Sequence, residues 1–129
     1  MGSVRVLTVD DHATFRTAAR AVIGATDGFE VAGEAVSGEA GVAAAARLHP
    51  DLVLMDVRLP DIDGYEAARR IVPLQPETVV VLVSATEDGL PGEPAARCGA
   101  AAFVRKEELC PSLLRDLWQR YGHPRPVAG

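Results

Sequence analysis

Five short apolar runs bound what this chain can fold into: VRVLTVD at 4–10, FEVAGEA at 29–35, DLVLMD at 51–56, ETVVVLVSA at 77–85 and AAFVRK at 101–106. Consecutive aliphatic and β-branched residues with little polar alternation read as strands buried on both faces. Helical patterns separate them. After the first strand, HATFRTAARAVIG carries Phe15, Ala18, Ala19, Val22 and Ile23 at helical spacing. Ser37 is placed to cap an Ala-rich helix running to Leu48 and closed by His49-Pro50. Asp63 followed by Glu66 reads as a capping box for a helix that Pro73 ends. A last helix is expected from Pro111 to about Tyr121, with Leu114, Leu117 and Trp118 on one side. Alternating strands and helices predict an α/β domain: a parallel sheet covered on both faces, with right-handed crossovers.

One segment breaks that rhythm. Where a fourth helix is due, the sequence reads TEDGLPGEPAARCG, and Pro91 and Pro94 with Gly89 and Gly92 oppose a full-length helix. A short turn of helix starting at Pro94 and stopped by Gly99 is the most that segment predicts. Residues 86 to 94 are expected to be the most mobile internal part of the chain.

Other features exclude function classes. A length of 129 residues fits one domain that needs neither disulfides nor a structural metal. Cys98 and Cys110 lack metal-ligand spacing and read as reduced thiols, one a small buried residue and one at a helix start. No apolar run approaches the roughly twenty residues of a membrane helix, and the N-terminus enters a strand rather than a signal peptide. MGSVRV departs from a myristoylation signal because Val6 stands where Ser or Thr is required. The expectation is a cytoplasmic protein. A net charge of -5 without a Lys/Arg cluster argues against nucleic acid binding by this chain alone.

The acids carry the chemistry. Asp10 and Asp11 end the first strand, Asp56 the third and Ser84 the fourth, while Lys106 follows the fifth. Ligands of open parallel sheets bind at these carboxyl ends. Three converging carboxylates repel one another, each pair by roughly 1 to 4 kcal/mol depending on the effective dielectric. Such a cluster makes sense with a cation, and carboxylate oxygens plus waters are what Mg2+ prefers. Asp56 can then act as a nucleophile on phosphorus, with Lys106 neutralising charge and Ser84 donating a hydrogen bond. His12 follows the acids, but Mg2+ avoids imidazole, so a cap or pocket-rim role is expected for it.

These motifs resemble the receiver domain of bacterial two-component response regulators, from Val4 to about Tyr121. VDDH matches the acidic pair of that family, LMDVRLPDIDG its phosphoacceptor loop, VSA its hydroxyl position and GAAAFVRK its aromatic and lysine positions. The resemblance implies a flavodoxin-like fold of order 2-1-3-4-5, with the fourth helix irregular or shortened. It also implies phosphorylation of Asp56 by a histidine kinase, a phosphotransfer protein or a small phosphodonor, as in a phosphorelay. Mg2+ would be held by Asp11, Asp56 and the Arg58 carbonyl, with Asp10 assisting, and Ser84 with Phe103 would form the switch. The receiver would span 1–121, with 122–129 as a short flexible tail. DDHATFR and FEVAGEA are closest to receivers of LuxR-type regulators, so a fragment of a longer DNA-binding regulator is the alternative to a stand-alone receiver. A downstream protein partner, and a homodimer, are compatible with either.

The chain departs from the family pattern at three points. Glu107, not Pro, follows Lys106; Phe103 lacks the hydroxyl of a switch Tyr; and the Pro/Gly segment alters the usual output surface. Two remote alternatives fit less well. A haloacid-dehalogenase-type phosphatase needs a second Asp two residues after its nucleophile, where Arg58 stands. A flavin-binding protein needs a phosphate-cradling loop where Asp10 and Asp11 would repel the phosphate. The expected role is therefore a phosphoacceptor signalling protein rather than an enzyme, self-catalysed phosphoryl transfer and hydrolysis aside.

Overall fold

The computed structural model describes residues 2–85 and 93–122. Five parallel strands lie in the order β2-β1-β3-β4-β5: β1 (Val4–Val9), β2 (Phe29–Ala35), β3 (Leu52–Asp56), β4 (Val79–Ser84) and β5 (Ala102–Arg105). The helices are α1 (Ala13–Gly24), α2 (Gly38–Leu48), α3 (Gly64–Ile71), α4 (Glu93–Cys98) and α5 (Pro111–Tyr121). This is the flavodoxin-like arrangement expected from the alternation of runs.

Side chains on a strand point alternately to the two faces of its sheet, and that period of two sorts the core. Leu7, Val9, Val53, Met55, Val80 and Leu82 pack with Ala44, Ala45, Ala67, Ala68, Ile71 and Cys98 of α2, α3 and α4. The alternate residues Val6, Leu52, Leu54, Val81 and Val83 pack with Phe15, Ala19 and Ile23 of α1 and Leu114 and Leu117 of α5. Central strands β3 and β4 are buried along their whole length, which is why they read as unbroken apolar runs. Each buried Leu or Val contributes about 1.5 to 3 kcal/mol relative to exposure.

Most helix ends follow the local signals. Ser37 accepts a hydrogen bond from the Ala40 backbone N–H, and Asp63 accepts one from Glu66. His49 closes α2 in the left-handed region at φ 48. Gly99 follows α4 at φ +87, the stop expected of it. Pro111 opens α5 in its first turn, with Cys110 at the N-cap, and Cys98 is buried. Two details differ. Ala18 is exposed, because the stripe of α1 that faces the sheet is Phe15, Ala19 and Ile23. The expected capping box at α3 is one-sided: the Glu66 carboxylate turns to the guanidinium groups of Arg69 and Arg70.

Among the described residues the fourth helix runs from Glu93 to Cys98 and is stopped at Gly99, as expected. Residues 86–92, on which the expectation of mobility chiefly falls, and 123–129 of the expected tail lie outside the described residues. Among the described residues no helix is long and apolar enough to cross a membrane.

Candidate functional site

Parallel register brings the strand ends level. Val9 pairs with Met55, Asp56 with Val83, and Ser84 with Arg105, so the next residues along, Asp10 and Lys106, arrive at one edge with Asp56 and Ser84. Asp10 is wholly buried, Asp56 and Ser84 nearly so, and Asp11 is exposed at the mouth.

Lys106 reaches back from the turn after β5. Its Nζ lies 2.6 Å from Asp10 Oδ2 and 3.5 Å from Asp56 Oδ2. The same ammonium sits 4.9 Å from the centre of the Phe15 ring, an apolar floor that also attracts a cation. Asp10 is held from the other side as well. The His12 backbone N–H donates to Asp10 Oδ1 at 2.8 Å, and the Arg16 guanidinium donates to the Asp10 carbonyl at 2.8 Å. On Asp56, Oδ1 accepts from the Arg58 backbone N–H at 3.3 Å.

Burial raises the pKa of Asp56, and repulsion from Asp10 adds to it; Lys106 and the Arg58 N–H act in the opposite direction. Three carboxylates, Asp10, Asp11 and Asp56, thus gather at one strand edge, where the Lys106 ammonium pairs with Asp10 and Asp56. Asp10 Oδ2 is buried and ion-paired to Lys106, yet receives no directed hydrogen bond, so the 2.6 Å contact compensates its charge without filling its acceptor direction. An excess of negative charge and a buried oxygen with spare acceptor capacity fit a hard divalent cation. The residues present therefore suit Mg2+.

Phe103 pairs with Leu82 in the sheet register and is half-buried against the cluster under α2, α3 and α4. Ser84, two residues beyond Leu82, shares that face by strand alternation. The structure thus brings Asp10, Asp11, Asp56 and Lys106 together and sets Ser84 and Phe103 along one side of the sheet beside them.

Two contributors, Arg16 and Asp61, escaped the sequence reading. His12 stands at the cap and pocket rim expected of it, taking the α1 N-cap position without a side-chain cap bond. Its Nδ1 instead lies 3.1 Å from Asp10 Oδ1, 3.2 Å from Asp11 Oδ1 and 3.9 Å from Asp56 Oδ2. Arg16 braces the loop through the Asp10 carbonyl and stands 3.7 Å from Glu34. Asp61 accepts from the Gly38 and Glu39 backbone N–H groups at 2.7 and 2.8 Å, tying the loop after β3 to the start of α2.

Residues 6–117 match the family described as the response regulator receiver domain. The chain belongs to that family. It is 38% identical over 125 residues to the response regulator GacA of Pseudomonas aeruginosa, covering 97% of this chain and 58% of that protein. The receiver spans about half the length of the curated relatives it matches. Among solved structures it is similar to the response regulator domain of Thermotoga maritima CheB, with 32% identity and a TM-score of 0.78 over 91% of this chain and 95% of that one. A LuxR-family two-component response regulator from Aurantimonas gives 25% identity and a TM-score of 0.78, covering 96% and 91%.

Proposed function

We propose that this receiver accepts one phosphoryl group on Asp56 from a sensor histidine kinase or a phosphotransfer protein, and passes the signal to a protein partner by rearranging Ser84 and Phe103. The observation that carries the reading is Asp56 itself: a buried carboxylate at a strand end, its Oδ2 facing Lys106 at 3.5 Å and its Oδ1 bound by the Arg58 N–H.

In the transfer, an Asp56 oxygen attacks phosphorus on a phosphohistidine. The phosphorus–nitrogen bond breaks, its electron pair leaves with the imidazole, and a phosphorus–oxygen bond forms. Lys106 holds positive charge where the phosphoryl oxygens gather. Asp11, Asp56 and the Arg58 carbonyl, with Asp10 assisting, would hold Mg2+, which supplies Lewis-acid neutralisation of those oxygens. Ser84 then donates to the phosphoryl group, and Phe103 moves into the space the hydroxyl leaves, as two alternative packings of one face. Phe103 makes no hydrogen bond in either position. The chemistry is confined to the protein's own phosphoryl group, so the role is signalling, with hydrolysis as the reset. The receiver unit is 1–121, and its setting is the cytoplasm.

A second reading keeps the same site but places it in a longer DNA-binding regulator, with homodimerisation as an added output. It is supported by the half-length span relative to GacA and by the similarity to a LuxR-family regulator. Nuclear magnetic resonance of the protein with Mg2+, before and after beryllofluoride, tests the switch. Shifts at Ser84 and Phe103 are expected; a bound mimic that moves neither would overturn the switch assignment.

A further inference from the structure

The proposed Mg2+ ligands are all oxygens, yet the donor atom that lies among them in this chain is a nitrogen. His12 Nδ1 stands 3.1 Å from Asp10 Oδ1 and 3.2 Å from Asp11 Oδ1, with Asp56 Oδ2 at 3.9 Å. One donor atom from each of these four residues lies within 4.8 Å of every other. Two ligand atoms held about 2.1 Å from one octahedral metal stand about 3.0 Å apart when adjacent and about 4.2 Å apart when opposite. The spacings around Nδ1 approach those of two adjacent oxygens and one opposite; at 3.1 Å Nδ1 also hydrogen-bonds Asp10 Oδ1, a contact that a bound metal would replace. Backbone contacts fix the main chain from which the ring projects. The His12 N–H is held by Asp10 Oδ1 at 2.8 Å, and the residue occupies the N-cap of α1, whose first turn sets its direction. The imidazole is largely exposed, with Nδ1 toward the carboxylates.

We infer that His12 is a metal ligand that gives this pocket a second, more selective mode: an imidazole-plus-carboxylate site for a borderline divalent ion of the Co2+ or Zn2+ class. The inference rests on the reading of the pocket as a cation site but adds a ligand that Mg2+ does not use. Mg2+ keeps oxygen ligands and waters, and leaves His12 at the rim. Later first-row ions take imidazole readily. A transition ion and Mg2+ would then compete for the same carboxylates, and the transition ion would be retained by the extra bond.

Co2+ is the probe, because nitrogen ligation alters its visible spectrum and shifts imidazole proton resonances far outside the ordinary range. Co2+ binds most nitrogen and oxygen sites more tightly than Mg2+, so affinity alone decides nothing. The comparison between variants does. Loss of an outer-shell partner already costs about tenfold in metal affinity, and loss of a ligand should cost at least that. His12→Ala is expected to weaken Co2+ by tenfold or more, to remove the shifted imidazole signal, and to leave the Mg2+ affinity within about twofold. His12→Asn keeps a polar rim and should weaken Co2+ comparably. Equal Co2+ affinity in wild type and both variants would overturn the inference while leaving the Mg2+ site standing. A parallel loss of Mg2+ and Co2+ would overturn it too, because His12 would then act through the fold of the loop. If the wild type bound neither ion, the pocket reading itself would fail and this inference with it.

Discussion

Lys106 places its ammonium 2.6 Å from Oδ2 of Asp10, a carboxylate with no exposed surface. The pair is made by residues nearly a hundred positions apart, brought level by the register of β1, β3, β4 and β5. It decides how the site survives without a phosphoryl group or a metal, since the ammonium is what compensates the buried negative charge.

Removing that ammonium leaves Asp10 buried and without charge compensation. Lys106→Met should therefore lower metal-free stability by about 3 kcal/mol, the scale for breaking one half of a buried pair. Adding Asp10→Asn should recover much of the loss. Binding of Mg2+ to the native state adds about 0.4 kcal/mol when its free concentration equals the dissociation constant, and Asp11→Ala should abolish that response. Urea unfolding with and without Mg2+ measures all three; an unchanged midpoint for Lys106→Met would show that the pair contributes nothing.

The pH dependence separates two carboxylates of opposite sign. Burial, then Asp10, raises Asp56 above its ordinary value near 3.8, so native protein holds that proton more tightly than unfolded chain. Its contribution to stability is full below that value and is lost as pH rises through the native titration. Glu34 behaves the other way. The Arg20 guanidinium, bound at 2.8 and 2.9 Å, lowers it below 4.5, so its contribution exists above that value and is lost as pH falls. In metal-free protein, the stability gain of Asp56→Asn over wild type should therefore widen between pH 4 and pH 7. A gap that narrowed over that range would contradict the sign.

Gly64 opens α3 where the chain folds back on the strand that carries Asp56. Its N–H donates to the Val57 carbonyl at 2.8 Å, and a Cβ there would overlap the Asp56 carbonyl and stand 3.0 Å from the Val57 Cα. That obstacle is backbone, which cannot rotate away. Gly64→Ala should cost about 1 to 3 kcal/mol and slow phosphoryl acceptance by displacing Asp56. Thermal melting with a phosphorylation time course checks both, and wild-type values for each would refute the close-approach argument.

What was legible in the sequence divides along the range of the forces involved. β3 and β4 announce themselves because both of their faces are buried, and Ser37, Asp63, Gly99 and Pro111 act on backbone within four residues of themselves. The acids could be placed together because parallel strands share a common end. Arg16 and Asp61 were missed as contributors for the converse reason: their contacts depend on how one folded segment lies against another, and no local periodicity encodes that. Ala18 shows the limit of helical spacing, since an Ala at the margin of an apolar stripe fits either side of the boundary.

The central claim is that Asp56 is where the phosphoryl group goes, and intact mass after incubation with acetyl phosphate and Mg2+ tests it most directly. The account predicts a gain of one phosphoryl group in the wild type, lost in acid or base as an acyl phosphate is, and no gain in Asp56→Asn. An undiminished gain in Asp56→Asn, or an acid-stable phosphate on Ser84 or Thr86, would contradict it.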